Sequence, residues 1–115
     1  MEKVIKVVVA DDHQMIIDGI KAFFIENENI HLLDSANSGE ELFRILADKK
    51  VDIVITDINM PGMDGIEITR NIKKQYPNIK VIALSMYIDK NLITEMINAG
   101  AHGYVLINTG KQDLI

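Results

Sequence analysis

The chain has 115 residues, 48% of them hydrophobic and 25% charged, which suits one compact globular domain. Its formal net charge of -5 argues against a free-standing nucleic-acid binder, and the absence of cysteine excludes thiol catalysis, disulfides and cysteine metal sites. No run approaches the roughly 18 apolar residues of a membrane span, and the N-terminus lacks a secretory pattern. We therefore expect a cytoplasmic protein without membrane contact.

Five apolar, mostly β-branched runs predict strands. They are Val4 to Ala10, Ile30 to Ser35, Val51 to Thr56, Ile79 to Leu84 and Gly103 to Ile107. The first, third and fourth are nearly all apolar, as buried central strands of a parallel sheet should be. The second contains His31 and Asp34, which favours a position at the sheet edge.

Between the strands, apolar residues recur at helical spacing, so each of four helices should bury one face. The residues expected on these faces are Met15, Ile16, Ile20, Phe23 and Phe24; Leu42, Phe43 and Leu46; Ile68, Ile72 and Tyr76; and Leu92, Ile93, Met96 and Ile97. Ser38 and Asp64 each precede a Glu by three residues, which is typical of a helix start. Thr109 begins a similar pattern, which predicts a fifth helix cut short at Ile115.

Strict alternation of strand and helix predicts parallel strands with right-handed crossovers, in an open sheet with helices on both faces. The edge position of the second strand favours the flavodoxin-like, doubly wound α/β fold with strand order 2-1-3-4-5. In that order, ligands bind beyond the carboxyl ends of strands 1 and 3.

Three acidic residues follow those two strands. Asp11 and Asp12 come directly after the first strand, and Asp57 comes directly after the third. Converging carboxylates repel one another and lose hydration, so a shared cation explains them better than a structural role. Mg²⁺ prefers oxygen ligands and keeps positions for water and phosphate. A carboxylate beside it can attack a phosphoryl group as a nucleophile.

Each acid also has an ordinary interpretation. Asp11 or Asp12 could cap the first helix, and Asp57 could begin a turn. The loop after Asp57 contains one proline and two glycines, which fix a tight backbone path. A main-chain carbonyl near Asn59 could then serve as a metal ligand.

Four motifs resemble the receiver domain of bacterial two-component response regulators. They are ADDH at Ala10 to His13, TDINMPGMDG at Thr56 to Gly65, ALSMY at Ala83 to Tyr87 and AGAHGYVL at Ala99 to Leu106. The residues of these motifs are similar to those of the NarL/FixJ subfamily, whose members carry a LuxR-type helix-turn-helix output domain. The resemblance covers essentially the whole chain. It implies that residues 1–115 are a receiver domain and that a helix-turn-helix domain follows beyond residue 115.

The resemblance implies that Asp57 accepts a phosphoryl group from a sensor histidine kinase, forming 4-aspartylphosphate. It implies that Asp11, Asp12 and Asp57 bind Mg²⁺ together with the backbone carbonyl of Asn59. Ser85 would then hydrogen-bond the phosphoryl oxygens and Tyr104 would turn inward. From the residues alone, Ser85 could equally be a turn serine and Tyr104 half-buried packing.

The same resemblance implies a signalling domain rather than an enzyme, with only self-catalysed phosphorylation and dephosphorylation. Its expected partners are the kinase, its own C-terminal DNA-binding domain and, in a homodimer, a second copy of the chain. The receiver domain itself should not contact nucleic acid.

One position departs from the family pattern: Ile107 stands where the family has a lysine after GYVL. A cation there would interact with the phosphoryl oxygens by roughly 4 kcal/mol at about 4 Å and an effective dielectric near 20, before desolvation. Lys111 would have to reach back over the loop to replace it. The domain could remain a phosphoacceptor with weakened switching, or act as a phosphorylation-independent interaction or dimerisation module. The isoleucine could also be an engineered replacement.

Other functions lack their parts. A phosphotransferase or phosphatase would need a second acid two residues after Asp57 or a GxxxxGK[ST] loop, and neither is present. A flavin site would need a glycine- and serine-rich phosphate loop after the first strand. The sequence has Asp11 and Asp12 at that position, and they would repel phosphate unless a metal intervened. His13, at the start of the first helix, could neighbour the phosphodonor, but a lone histidine without partner ligands is more typical of a surface or family-signature residue.

Overall fold

The computed structural model describes residues 4–25, 28–60, 62–85 and 89–106. Strands and helices alternate through these residues, as predicted. Their bounds in chain order are β1 Ile5–Ala10, α1 Gln14–Phe24, β2 Ile30–Ala36, α2 Gly39–Asp48, β3 Ile53–Asp57, α3 Gly65–Gln75, β4 Lys80–Ser85, α4 Lys90–Ala99 and β5 Gly103–Leu106. The predicted fifth helix, Ile107 and Lys111 lie outside the described residues.

The strands form one parallel sheet in the order β2-β1-β3-β4-β5, which confirms the predicted flavodoxin-like topology. At the amino ends of the strands, Asp52 connects the three central strands. Its main-chain N–H donates to the Lys6 carbonyl at 2.9 Å, its carboxylate accepts from the Lys6 N–H at 2.8 Å, and its carbonyl accepts from the Lys80 N–H at 3.0 Å. β3 therefore begins after Asp52, and Asp57 is its last residue rather than the first residue beyond it.

Hydrophobic cores lie on both faces of the sheet. On one face, alternate residues of β1, β3 and β4 pack against α1 around the fully buried Ile17. On the other face, the intervening strand residues pack against α2 and α3, with Ile68 and Ile72 fully buried, and a neighbouring cluster packs against α4. A doubly wound sheet explains why its central strands read as almost continuous apolar runs.

The buried faces of two helices differ from those predicted. Met15 and Phe23 in α1 are 85% and 75% exposed, and Ile97 in α4 is 56% exposed. The buried stripe of α1 instead centres on Ile17, with Ile16, Ile20 and Phe24 beside it. At about 100° per residue, Met15 lies nearly opposite that stripe and Phe23 lies at its border.

The predicted helix starts are confirmed at α2 and α3. Ser38 accepts a hydrogen bond from the Glu41 N–H at 3.1 Å, and Asp64 accepts one from the Glu67 N–H at 2.9 Å. Glu41 reaches back to the N–H of Asn37 at 2.7 Å, one residue before the cap. Together these bonds fix the entry into α2 next to the end of β2.

Candidate functional site

The register of β1 and β3 brings the predicted acids together. Ala10 pairs with Thr56, so the next residues, Asp11 and Asp57, lie side by side where these strands end. Two residues earlier, Val9 and Ile55 both face α1. Because strand side chains alternate, the two carboxylates leave the sheet on that same face. This is the crevice that the fold predicts for a ligand.

Asp11, Asp12, His13 and Asp57 form one cluster. One ligand atom from each residue lies within 4.8 Å of all the others. Asp11 keeps only 3% of its side-chain surface exposed, Asp57 14% and Asp12 30%. The cluster therefore holds three carboxylates at different depths, and Asp11 is the deepest.

The structure contradicts the helix-capping interpretation of Asp11 and Asp12 and supports the turn interpretation of Asp57. Residue 13, not an acid, occupies the N-cap of α1 and makes no side-chain cap bond, so the capping interpretation of Asp11 and Asp12 is wrong. Asp11 instead accepts from the main-chain N–H of His13 at 2.9 Å. Asp57 does accept from the Asn59 N–H at 3.1 Å, as a turn-forming aspartate does. That bond involves Oδ1, whereas Oδ2 faces the cluster.

His13 is the member of the cluster that sequence reasoning missed. Its Nδ1 lies 3.0 Å from an oxygen of Asp11, 3.1 Å from one of Asp12 and 4.0 Å from Oδ2 of Asp57. The hydrogen bond with Asp11 and the negative charge of Asp12 raise the pKa of His13 above its ordinary value. The ADDH motif contained the signal, because His13 follows two acids at a strand end. A single histidine nevertheless has no ligand spacing that would identify it.

The carboxyl group of Asp57 has a pKa raised to about 6. Burial is the main cause, and the negative charges of Asp11 and Asp12 add to it. The hydrogen bond from Asn59 and the charge of His13 act in the opposite direction. A carboxylate in this position is less stable as an anion unless another positive charge is present.

The donor atoms of the cluster suit a divalent metal ion. Carboxylate oxygens are ligands for Mg²⁺ and Mn²⁺, and an imidazole nitrogen can complete such a set. Ligands about 2.1 Å from an octahedral ion lie at most about 4.2 Å apart, so the 4.8 Å grouping needs only small side-chain movements. The repulsion among the acids also makes a cation favourable here.

The loop after β3 is held close to Asp57 by Gly65. The Gly65 N–H donates to the Ile58 carbonyl at 2.9 Å. A side-chain carbon at position 65 would overlap the Asp57 carbonyl oxygen and lie 2.7 Å from the Ile58 Cα. Only glycine permits this approach, which also brings the main chain of Asn59 beside the carboxylate.

Ser85 and Tyr104 lie on the strands beyond Asp57. Leu84 pairs with Asp57, so Ser85 ends β4 next to Asp57, and it is 95% buried. Tyr104 pairs with Ala83. Its side chain is half-buried against the hydrophobic cluster that packs on α4. Both residues therefore lie on the side of the crevice that faces β5 and α4.

The fold and the acidic cluster agree with the family comparisons. The model of the response regulator receiver domain matches residues 7–115, and the chain belongs to this family. Members of this family are signalling domains rather than conventional enzymes. Its relatives are response regulators of the NarL/FixJ type, as the sequence motifs predicted.

A transcriptional regulatory protein of Bacillus subtilis, YhcZ, is 34% identical over 110 residues, covering 96% of this chain and 51% of YhcZ. The receiver domain of RcsB from Salmonella enterica, solved with the phosphomimetic BeF3-, has a TM-score of 0.84 and 26% identity over 90% of this chain and 78% of that one. A structure of two RcsB dimers bound to two DNAs has a TM-score of 0.86 and 26% identity, over 97% and 57% of the two chains. The chain thus spans about half the length of its curated relatives.

Within the described ranges, each helix is too short or too polar to cross a bilayer.

Proposed function

We propose that this receiver domain accepts a phosphoryl group on Asp57 from a sensor histidine kinase. The observation that carries the proposal is the convergence of Asp57 with Asp11 and Asp12 at the ends of β1 and β3. Asp57 is the acid at the end of the central strand, and its Oδ2 faces the cluster. Asp11 is too deeply buried to meet a donor protein, with 3% of its side chain exposed.

Asp11, Asp12 and Asp57 are proposed to hold Mg²⁺ together with the Asn59 carbonyl. The support is the number of carboxylates in the cluster and the hydrogen bond between Asn59 and Asp57. When bound, the ion would supply positive charge that neutralises the phosphoryl oxygens and the acids. The chain itself supplies the fixed positions of these groups, since Asp11 is buried and its strand pairs directly with β3.

In the proposed transfer, Asp57 acts as the nucleophile. One carboxylate oxygen forms a bond to phosphorus while the bond from phosphorus to the donor histidine nitrogen breaks. The electron pair of that bond returns to the nitrogen. The deprotonated form of Asp57 is required, and neighbouring positive charge favours it by opposing the rise of its pKa to about 6. Phosphorylation from small donors and hydrolysis of the product would be self-catalysed at the same site.

Ser85 and Tyr104 are proposed to carry the signal away from Asp57. A phosphoryl group adds acceptor oxygens beside the end of β4, where the Ser85 hydroxyl can donate to one of them. Tyr104, packed next to Ala83 on β5, would then move inward. A C-terminal helix-turn-helix domain beyond residue 115 is the proposed recipient, in a cytoplasmic regulator that forms dimers. The RcsB dimers on DNA support this output.

Ile107 is the residue most relevant to switching. The family resemblance implies that a lysine at this position would place a cation against the phosphoryl oxygens, which an isoleucine cannot supply. The proposal is that phosphorylation persists, because the acids and Asp57 are retained, while its coupling to β5 is weaker. The retained acids give a phosphorylation-independent module less support.

The test is phosphorylation by acetyl phosphate with Mg²⁺, followed by intact mass measurement of the original chain. We expect one phosphoryl adduct on the original chain and none on Asp57→Asn. Asp48→Asn is the matched control, because Asp48 is an exposed acid at the end of α2, and it should behave like the original chain. Ile107→Lys should keep the adduct and increase the accompanying change in the Tyr104 environment, measured by NMR.

Two results would contradict the proposal. An adduct that persists in Asp57→Asn would place the phosphoryl group on another residue. An adduct that forms on Ile107→Lys but never on the original chain would favour the phosphorylation-independent module.

A further inference from the structure

Thr69 lies on the buried face of α3, and its side chain has no exposed surface. Its hydroxyl oxygen lies 2.7 Å from the Gly65 carbonyl oxygen and 3.8 Å from the Met96 sulfur. A hydroxyl has one proton to donate, and the shorter distance places that proton on the Gly65 carbonyl. The Met96 sulfur, a weak acceptor, is the alternative partner, and it belongs to a different helix.

The Gly65 carbonyl belongs to the residue that packs most closely on the main chain of Asp57 and Ile58. In an α-helix this carbonyl also accepts the main-chain N–H of residue 69, so Thr69 holds it with two donors. The Gly65 N–H donates to the Ile58 carbonyl at 2.9 Å. Because no space separates Gly65 from the end of β3, a shift of that main chain also moves the Gly65 carbonyl and the hydroxyl bound to it.

Met96 lies in the last turn of α4 and is 1% exposed. It belongs to the same hydrophobic cluster as Ile58, the residue after Asp57. Its carbonyl accepts from the Ala101 N–H at 2.9 Å, where α4 ends and the chain turns toward β5. Met96 thus links the first turn of α3 to the end of α4.

We propose that Thr69 is a positioning residue, whose hydroxyl couples the main chain beside Asp57 to Met96 and the end of α4. The inference rests on the proposed phosphorylation of Asp57 and deepens it. It adds a route through α3 to the route through Ser85 and Tyr104. The residues of the two routes lie on different elements, so each can be removed without the other.

The hydroxyl can couple the two helices because it has one acceptor on each. When Asp57 gains a bulky anionic group, the end of β3 and Gly65 shift together. The hydroxyl then either follows the Gly65 carbonyl or turns to the Met96 sulfur, and both movements change the contact between α3 and α4. Close packing around these two buried side chains passes such a shift on, because there is no free space to absorb it.

The experiment compares variants that differ in one hydroxyl. Thr69→Val removes the hydroxyl and keeps the branched shape, whereas Thr69→Ser keeps the hydroxyl. Thr94→Val is the matched control, because Thr94 is an exposed threonine on α4. Each chain would carry ¹³C-labelled methionine methyl groups and be titrated with Mg²⁺ and the phosphomimetic BeF3-. NMR would follow the Met96 methyl signal, assigned with Met96→Leu, and the Asn59 N–H, which donates to Asp57 and reports binding of the probe.

We expect saturating BeF3- to shift the Met96 methyl signal of the original chain, and Thr69→Val to reduce that shift by about half or more while Asn59 still responds. Thr69→Ser should restore most of the shift, and Thr94→Val should leave it unchanged. A purely structural role would lower the stability of Thr69→Val without changing the response of Met96. An undiminished Met96 shift in Thr69→Val would therefore overturn the inference.

The same titration separates this inference from the proposed function. An original chain in which Asn59 responds to BeF3- and Met96 does not would overturn the route through Thr69 alone. An original chain in which neither signal responds, and which also takes no phosphoryl group from acetyl phosphate, would overturn both.

Discussion

Asp57 is held where its negative charge is poorly stabilised. It lies at the end of a central strand, 14% exposed, beside two other acids, and its pKa is raised to about 6. A group with a raised carboxyl pKa binds its proton more tightly in the folded state than in the unfolded state. Ionisation of Asp57 therefore lowers the stability of the folded state. A bound cation, or phosphorylation of this carboxylate, can restore that stability.

This cost predicts the effect of Asp57→Asn on stability in the presence of a chelator. Between the ordinary pKa of 3.8 and about 6, the folded state binds more protons, so rising pH destabilises the original chain but not the variant. We expect the variant to be more stable at about pH 7 by about 1 to 2 kcal/mol, with the gain shrinking as pH falls toward about 4. Urea unfolding across this pH range measures it.

The exposed Asp48→Asn serves as the control, and the gain expected for Asp57→Asn at about pH 7 should be absent from it. A gain for Asp57→Asn that grows on acidification would mean that the carboxylate is stabilised, not destabilised, in the folded protein.

His13 and Ile107 mark the limits of prediction at the scale of single residues. The acids were found because they follow two strands whose adjacency the topology predicts. The place of His13 in the cluster was missed because it depends on a ring orientation that no spacing encodes. Ile107 was recognised only as a departure from a family pattern, and its place beside the site stays a prediction.

Among the secondary-structure elements, the link between β3 and α3 is the most constrained. The first residue of α3, Gly65, packs directly on the main chain of Asp57 and Ile58. Two residues before Gly65, Met63 lies against Gly39 at the start of α2. The loop is therefore held between α2, α3 and the end of β3.

Gly65→Ala should disturb both stability and the site. Its new methyl group would overlap the main chain of β3, which we expect to cost about 1 to 3 kcal/mol. The displaced Asp57 should also bind metal more weakly, with the dissociation constant rising severalfold. Urea unfolding and calorimetry test the two effects.

Gly19→Ala is the matched control for this change. Gly19 lies within α1 and a methyl group there would have no neighbour within 4 Å. Helix propensity alone should make this variant more stable by about 0.5 to 1 kcal/mol, with unchanged metal binding. Equal effects of the two substitutions would show that the close approach of Gly65 is unimportant.

The helices show how far capping and apolar patterns in the sequence predict the structure of a single element. Helix starts at Ser38 and Asp64 were predicted because a cap is a local hydrogen bond. The exposure of Met15 and Phe23 was not, because the apolar stripe of α1 is wider than the face that the sheet covers. Which edge of a wide stripe is buried depends on the position of the helix over the sheet.

At the scale of the whole molecule, the sheet divides the interior into separate cores. Ile17 belongs to the core beneath α1, and Ile72 belongs to the core between the sheet, α2 and α3. The strand order followed from the alternation of elements and the polar edge strand. Strict alternation leaves few topologies, so the overall fold was the part most fully predicted.

Separate cores predict additive substitutions. Ile17→Val and Ile72→Val should each cost about 0.5 to 1.5 kcal/mol, because both side chains are fully buried. The double variant should equal their sum to within about 0.5 kcal/mol, since the sheet lies between them. Equilibrium unfolding in urea provides the three values.

A pair within one core gives the comparison. Ile68→Val with Ile72→Val changes two neighbours on α3 and should depart from additivity. Strong coupling between Ile17 and Ile72 would instead show that strain passes through the sheet.

The pairing of β1 with β3 also determines when the site exists during folding. Asp11 and Asp57 are far apart in the chain, and they meet only when these two strands are aligned in register. A chain that has formed its helices but not this pairing has no assembled carboxylate cluster. Competence for the proposed phosphorylation is thus acquired together with the central sheet, so a phosphorylated Asp57 would also record that its molecule has folded.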